Sequence, residues 1–209
     1  MYIHIQTTGM SIPVSIRIID SCTARQLPWK NGQGVTLELA IAPPDAGLDD
    51  FDWRISSARV DSAGPFSPYP GIDRSLGLLS GAGLRLNLPE PVILDPGNPV
   101  LSFAGELDVQ AELLAGPVQD FNLMSRRGRW RHRLEYQQLQ GEQWLEGSDV
   151  LFIYCISGSP LDCQLPGGSL VQLANGQGLL LESPGERCKL SSGGGSAQLF
   201  LAWLERVRG

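Results

Sequence analysis

Alternation with period two dominates the chain. Val35, Leu37, Leu39 and Ile41 fall on one face of a run whose other face carries Thr36, Glu38 and Ala40, which predicts a half-buried strand. Val14, Ile16 and Ile18 repeat the pattern, as do Leu84, Leu86 and Leu88, and Leu107, Val109, Ala111 and Leu113 with Asp108, Gln110 and Glu112 between them. Gly, Pro or Asn punctuates each run. Val150 to Ile156 is apolar on both faces and Gln198 to Leu204 nearly so, as strands covered on both sides are. No segment carries a helical stripe of ten residues. Only Pro117 to Met124 is read as a short helical turn, with proline at its start, where a missing N–H costs nothing.

An internal echo organises these strands. The stretch Ser75 to Leu86 returns, with one residue inserted, as Ser169 to Leu181, so that Gly81 and Gly83 map onto Gly176 and Gly178. Solenoid repeats are ~20 to 50 residues long, and this spacing is nearly half the chain. It points to two similar β modules, either tandem jelly rolls or one closed double-sheet sandwich.

Composition agrees with a β protein. The 209 residues include 25 glycines and 15 prolines, above the usual ~7% and ~5%, and these residues interrupt helices and supply turns. A hydrophobic share of 42% supports a core, and the formal net charge of -6 disfavours general nucleic-acid binding, which needs phosphate neutralisation by Lys and Arg. No run approaches the ~20 apolar residues that span a bilayer. Met1 to Gly9 has neither a basic nor an apolar signal region, so a cytoplasmic address is expected. Cys22, Cys155, Cys163 and Cys188 form no CxxC pair. Cys155 and Cys163 flank a turn symmetrically, which permits a redox reading, but small apolar packing groups are the preferred one.

Several segments carry candidate chemistry. Pro28-Trp29-Lys30-Asn31-Gly32-Gln33-Gly34 is a loop in which Asn-Gly permits close ligand approach and Lys30 offers a charge suited to a carboxylate; a tight turn with a solvated lysine explains it equally well. In Phe51 to Ser56, Trp53 and Ile55 share one face while Arg54 and Ser56 share the other, which either meets water or lines a barrel interior. The loop from Gly64 to Arg74 is dense in proline and aromatics and would hold Asp73 and Arg74 rigidly, as a site or as a structural clasp. Arg126, Arg127, Arg129, Arg131 and Arg133 suggest phosphate binding, yet their alternation with Trp130, His132 and Leu134 favours a strand with a solvated basic face and a core histidine. Only His4 and His132 are present, too few for the usual catalytic zinc or non-haem iron set. No metal or other cofactor is expected.

Trp29-Lys30-Asn31-Gly32, Asp52-Trp53-Arg54-Ile55-Ser56, Gly64-Pro65-Phe66-Ser67, Pro70-Gly71 with Asp73-Arg74, Gly81, and Asp120-Phe121-Asn122-Leu123-Met124 with Arg126 together resemble the HutD/Ves family. Gln33 stands where that pattern usually has a third glycine. The resemblance implies an all-β, two-module cupin-like (bicupin) barrel with very little helix. It divides the chain into a leader at 1–13, an N-terminal barrel at 14–115 and a C-terminal barrel at 116–209, packed as one globular unit, with Met10 an alternative first residue. It also implies a link to bacterial histidine utilisation, as regulator or small-molecule binder. The two-histidine metal motif of many cupins is missing between Gly64 and Gly81.

The expectation is therefore a metal-independent protein that binds a small organic anion such as urocanate or N-formylglutamate in the N-terminal barrel. Lys30, Arg54 and Arg74 would contact the anion, Asn31, Ser56 and Asn122 would select it, and Trp53 and Phe66 would wall it, with Asp73, Asp120 and Met124 also among the expected ligand-binding residues. An isomerase or hydrolase using Asp73 or Asp120 as general base is the alternative, with catalysis itself left open. A structural module that homodimerises through sheet edges, with Arg129 to Tyr136 at the interface, is the third.

Overall fold

The computed structural model describes residues 2–4, 15–29, 34–182 and 187–208. Among them the chain is strand, turn and bend with no α-helix, and no helix long and apolar enough to cross a membrane occurs. The strands are β1 (Tyr2–His4), β2 (Ser15–Asp20), β3 (Arg25–Pro28), β4 (Val35–Ala42), β5 (Trp53–Val60) and β6 (Gly64–Pro65). Next come β7 (Ile72–Ser80), β8 (Leu84–Asn87), β9 (Val92–Leu94), β10 (Val100–Ala104), β11 (Gln110–Leu113) and β12 (Val118–Arg126). The remainder are β13 (Trp130–Leu145), β14 (Val150–Gly158), β15 (Leu161–Gln164), β16 (Leu170–Leu173), β17 (Gln177–Glu182) and β18 (Cys188–Arg206).

Two compact units share these strands, one comprising 24–132 with 207–209 and the other 1–23 with 133–206. The sequence reading divided the chain at 115/116 instead. The difference arises because β12 pairs with β5 and β7, which keeps 116–132 with the preceding residues. At the other end β2 pairs with β17, which ties 15–20 to the far half of the chain.

The 24–132 unit contains a six-stranded sheet in the order β10-β7-β12-β5-β4-β3 and a four-stranded sheet in the order β6-β11-β8-β9. Their apolar faces meet in one core, to which the first contributes Val60, Leu76, Leu78 and Val118 and the second Leu84, Leu86, Leu94 and Ala111. The other unit is an eight-stranded antiparallel sheet ordered β1-β2-β17-β14-β18-β15-β16, with β13 paired to β18. Its core takes Leu151, Ile153 and Cys155 from the doubly apolar strand and Leu199, Leu201 and Trp203 from the next. Strand β13, which takes in most of the stretch expected at a dimer edge, pairs with β18.

The echo falls on comparable pieces of backbone. In each copy a strand, a glycine turn and a second strand follow one another, and the two strands belong to different pairings: β7 with β10 and β12, β8 with β9 and β11, β16 with β15, and β17 with β2 and β14. Gly81 and Gly176 both take positive φ, +103° and +81°, a conformation that side chains with a Cβ resist.

Two expectations fail locally. Pro117 to Met124 is no helical turn; Val118 to Arg126 is a central strand, buried on both faces from Asp120 to Ser125, so its alternation is hidden. The strand Val35–Ala42 is broken by an irregularity between Glu38 and Ala40, after which Ile41 pairs with Arg54 just as Glu38 pairs with Ser56. Ile41 therefore shares a face with Glu38 rather than with Leu37, as the extra residue of a β-bulge requires.

Candidate functional site

Strand pairing decides which polar side chains meet. In antiparallel ladders directly opposed residues lie on the same face. Arg54, Met124 and Arg74 are opposed across β5, β12 and β7; Ser56, Asn122 and Leu76 form the next row, with Glu38 beyond Ser56 on β4; Ala58, Asp120 and Leu78 form the third. This face carries the leucines of the core at one end and a polar cluster at the other. The Arg54 and Ser56 face thus lines the barrel interior rather than meeting water.

The polar cluster is almost dry. Arg54 is 3% exposed and Arg74 7%, and burying such charges is tolerated only with partners. Arg54 Nε donates to Glu38 Oε2 at 2.9 Å and its Nη1 to Ser56 Oγ at 3.3 Å. Arg25 reaches the same Glu38 carboxylate at 3.6 Å. Arg74 donates through Nε and Nη2 to Asn122 Oδ1 at 2.8 and 2.5 Å, and Asn122 Nδ2 donates onward to Asp120 Oδ1 at 2.9 Å. Asp120 Oδ1 also accepts from the Ala58 amide at 2.8 Å. The Arg74 guanidinium lies 4.8 Å from the Phe66 ring centroid and 5.4 Å from that of Phe103, a cation–π arrangement that holds its plane.

Electrostatics follow from the dryness. Burial pushes the Asp120 carboxyl up to about 6 although Arg74 pulls it down. Burial likewise lowers Arg74, opposed by the charge of Asp120, while Arg54 adds to the lowering as a like charge. Among the described residues neither Arg54 Nη2 nor Arg74 Nη1 meets a hydrogen-bond acceptor.

Of the residues singled out in the sequence, Arg54, Ser56, Phe66, Arg74, Asp120, Asn122 and Met124 are brought together on this face. Trp53 and Asp73 are not. Trp53 projects to the opposite face of the sheet, is 1% exposed and meets Trp130 edge-on at 6.5 Å. Asp73, one strand position from Arg74, pairs instead with Arg127 at 2.8 Å. Lys30 and Asn31 lie outside the described residues. Glu38 and Phe103 join the site beyond the sequence candidates, while Trp29 of the Lys30 motif has a packing role. Glu38 sat in an alternation read as a half-buried strand, Phe103 reaches Arg74 only through the pairing of β10 with β7, and Trp29, adjacent to the Lys30 motif, donates to Thr36 Oγ1 at 2.9 Å and packs on the core.

The remaining candidates have structural partners. Arg126 donates to the Phe51 and Asp49 carbonyls, Arg127 pairs with Asp73 and Glu106, Arg129 with Asp52, and Arg133 with Glu135. His132 is held between Ser75 Oγ at 2.9 Å and Ser125 Oγ at 2.7 Å, and burial lowers it to about 4. Cys155, Cys163 and Cys188 are buried free thiols, with Cys188 pushed up to about 11 by burial, in keeping with the packing reading. Among the described residues no group of three His, Cys, Asp or Glu side chains could hold a metal ion.

Two facing antiparallel sheets with a polar cluster inside the barrel define a cupin-like protein. A cupin-2 conserved barrel domain protein from Leptotrichia buccalis shares that fold, with a TM-score of 0.57 over 86% of this chain and 92% of its own at 8% identity. The particular family follows from sequence: a family model for HutD matches residues 21–199, and the chain belongs to the HutD family. Its structure is similar to that of HutD from Pseudomonas fluorescens SBW25, described for a formate condition, with a TM-score of 0.77, 26% identity, and coverage of 93% of this chain and 100% of that one. It is also 36% identical over 132 residues to an uncharacterised 21.2 kDa protein in the hutC 3' region of Pseudomonas putida. That match takes in 61% of this chain and 63% of the relative, so the chain spans less than two thirds of the curated relative's length.

Proposed function

We propose that the barrel interior of the 24–132 unit binds a small organic carboxylate and that its occupancy regulates histidine utilisation. One observation carries this reading: two buried arginines, Arg54 and Arg74, flank Met124 on neighbouring strands, each with one guanidinium nitrogen that meets no acceptor among the described residues. Arginine suits a carboxylate because its donors match two oxygens at once, and Ser56 and Asn122 supply neutral polar contacts beside it. The hut association in the names of its relatives supports the pathway, and urocanate and N-formylglutamate are carboxylates of suitable size.

A thermal-shift titration with histidine, urocanate, N-formylglutamate, glutamate and formate tests the proposal. A ligand that binds only the folded state stabilises it by about 2.7 kcal/mol at a hundredfold excess over Kd. A saturating shift with one carboxylate is the expected result. No shift with any of the five would remove it.

A second reading is favoured by Asp120, whose carboxyl at about 6 suits a general base near neutral pH. In that case the cluster is the centre of an isomerase or hydrolase, and turnover of a bound carboxylate would distinguish it from the binding protein. Asp73, engaged with Arg127 away from the arginine pair, has no part in either reading.

A further inference from the structure

We propose that the organic anion enters this cluster together with one proton, which Asp120 accepts, so that the ligand is taken up in effect as an uncharged acid. The inference rests on the reading above that the cluster binds a carboxylate. Among the described residues the cluster holds two guanidinium groups, Arg54 and Arg74, and two carboxyl groups, Glu38 and Asp120. These buried groups balance one another before any ligand arrives, and Arg25, whose side chain is 70% exposed, meets Glu38 from outside the buried set. A further carboxylate leaves one negative charge without a counter-charge, in surroundings where water is excluded and Coulomb energies are several times those in bulk. Buried charges in that position are neutralised by protonation rather than tolerated.

Geometry decides where the proton goes. Glu38 is gripped by two guanidinium groups, Arg54 at 2.9 Å and Arg25 at 3.6 Å, which hold it as the anion. Asp120 has no such grip. Among the described residues its donors, the Ala58 amide and the Asn122 side-chain amide, are both neutral and both spend themselves on Oδ1, and the residue is 2% exposed. Around it, β12 presents Asn122, β5 presents Arg54, Ser56 and the Ala58 amide, β7 presents Arg74, and β4 presents Glu38; Tyr69 acts on the set through Arg74. Arg74 is the only cation among these that acts on Asp120 directly, and Asn122 stands between the two. A ligand carboxylate lodged on Arg74 Nη1 screens that cation and raises the proton affinity of Asp120 further. The direction is already set, because burial outweighs the pull of Arg74 and of the two amide hydrogen bonds and brings the carboxyl to about 6. Once protonated, Asp120 changes from an acceptor into a donor facing the ligand, and the proton strengthens binding beyond removing the repulsion.

Isothermal titration of the full chain with N-formyl-L-glutamate and with formate provides the test. Carboxyl groups of such ligands titrate below about pH 5, so any uptake above pH 6.5 belongs to the protein. At pH 7.5 in phosphate and in Tris, whose ionisation heats differ, the expected result is close to one proton taken up per bound anion. Kd is then expected to rise about tenfold from pH 7 to pH 8, as one linked proton requires. Asp120→Asn, which keeps an acceptor for Ala58 and places an amide donor where the acid proton would be, is expected to bind with a Kd independent of pH, about tenfold tighter than wild type at pH 7 and about a hundredfold tighter at pH 8. Binding of either anion is also expected to bring up a protonated-carboxyl C=O infrared band, absent from Asp120→Asn; that band in wild type decides the matter should the variant fail to fold. Binding without proton uptake, or uptake that persists in Asp120→Asn, overturns the inference and leaves the carboxylate site standing. No heat with either anion from pH 6.5 to 8.5, together with no thermal shift from any of the five compounds, overturns the site itself.

Discussion

Two buried titratable groups in the 24–132 unit are shifted in opposite directions, and stability against pH should register their near cancellation. His132 is lowered by burial from 6.5 to about 4, so between those values the unfolded chain holds a proton that the folded one refuses. Its contribution is intact above pH 6.5 and is lost as pH falls towards 4. Asp120 is raised from 3.8 to about 6, so there the folded chain holds the extra proton and gains stability as pH falls through 6. From pH 7 to 4.5, linkage gives a loss of about 2 kcal/mol from His132 and a gain of about 2 kcal/mol from Asp120. Urea unfolding of wild type, His132→Gln and Asp120→Asn at half-unit steps over this range would read both. Relative to wild type, His132→Gln should become about 2 kcal/mol more stable on acidification and Asp120→Asn about 2 kcal/mol less stable. Parallel profiles for all three proteins, after the common acid loss is subtracted, would refute the claim that either group titrates from a buried position.

Arg54→Met should cost about 3 kcal/mol in urea unfolding because Glu38 is left buried without its nearest counter-charge, while adding Glu38→Gln should recover about 2 kcal/mol of it; additive losses would mean that the pair is not coupled. Gly81→Ala should destabilise by about 2 kcal/mol, since φ is +103° and a Cβ would lie 2.6 Å from the Pro117 carbonyl oxygen, whereas Gly141→Ala, with positive φ but open space around it, should cost on the order of 1 kcal/mol in the same thermal melts. Alkylation followed by mass spectrometry should label Cys22 alone in the native protein and all four cysteines in denaturant, given one exposed and three buried thiols.

The strand runs with clean alternation were legible because one side of each is buried and the other is not, as at Leu84 and Leu86 beside exposed Arg85. The central strand Val118–Arg126 was not, since Phe121 and Leu123 fill one face while Asp120 and Asn122 lie equally buried on the other. The bulge after Glu38 has no sequence mark, and it is what sets Ile41 on the same face as the glutamate. Within the site, the motif residues Arg54, Arg74, Asp120 and Asn122 could be named from their neighbours, but Trp53 and Asp73 sit beside them in sequence and one strand position away in facing. Phe103 and Glu38 enter only through contacts between strands, with Arg74 and with Arg54 respectively. Such residues emerge only from the folded register.

The pairing of Ser15–Asp20 with Gln177–Glu182 has a consequence for the birth of the protein on the ribosome. The 24–132 unit is nearly continuous in sequence, so it can collapse while synthesis proceeds. Strand β2 of the other unit waits until a partner 157 residues later emerges, which at typical translation speeds takes roughly 8 to 30 s. During that interval its backbone groups and Ile16 lack their final cover, and a nascent chain stalled before residue 177 would present an open edge to chaperones and to its neighbours on the polysome.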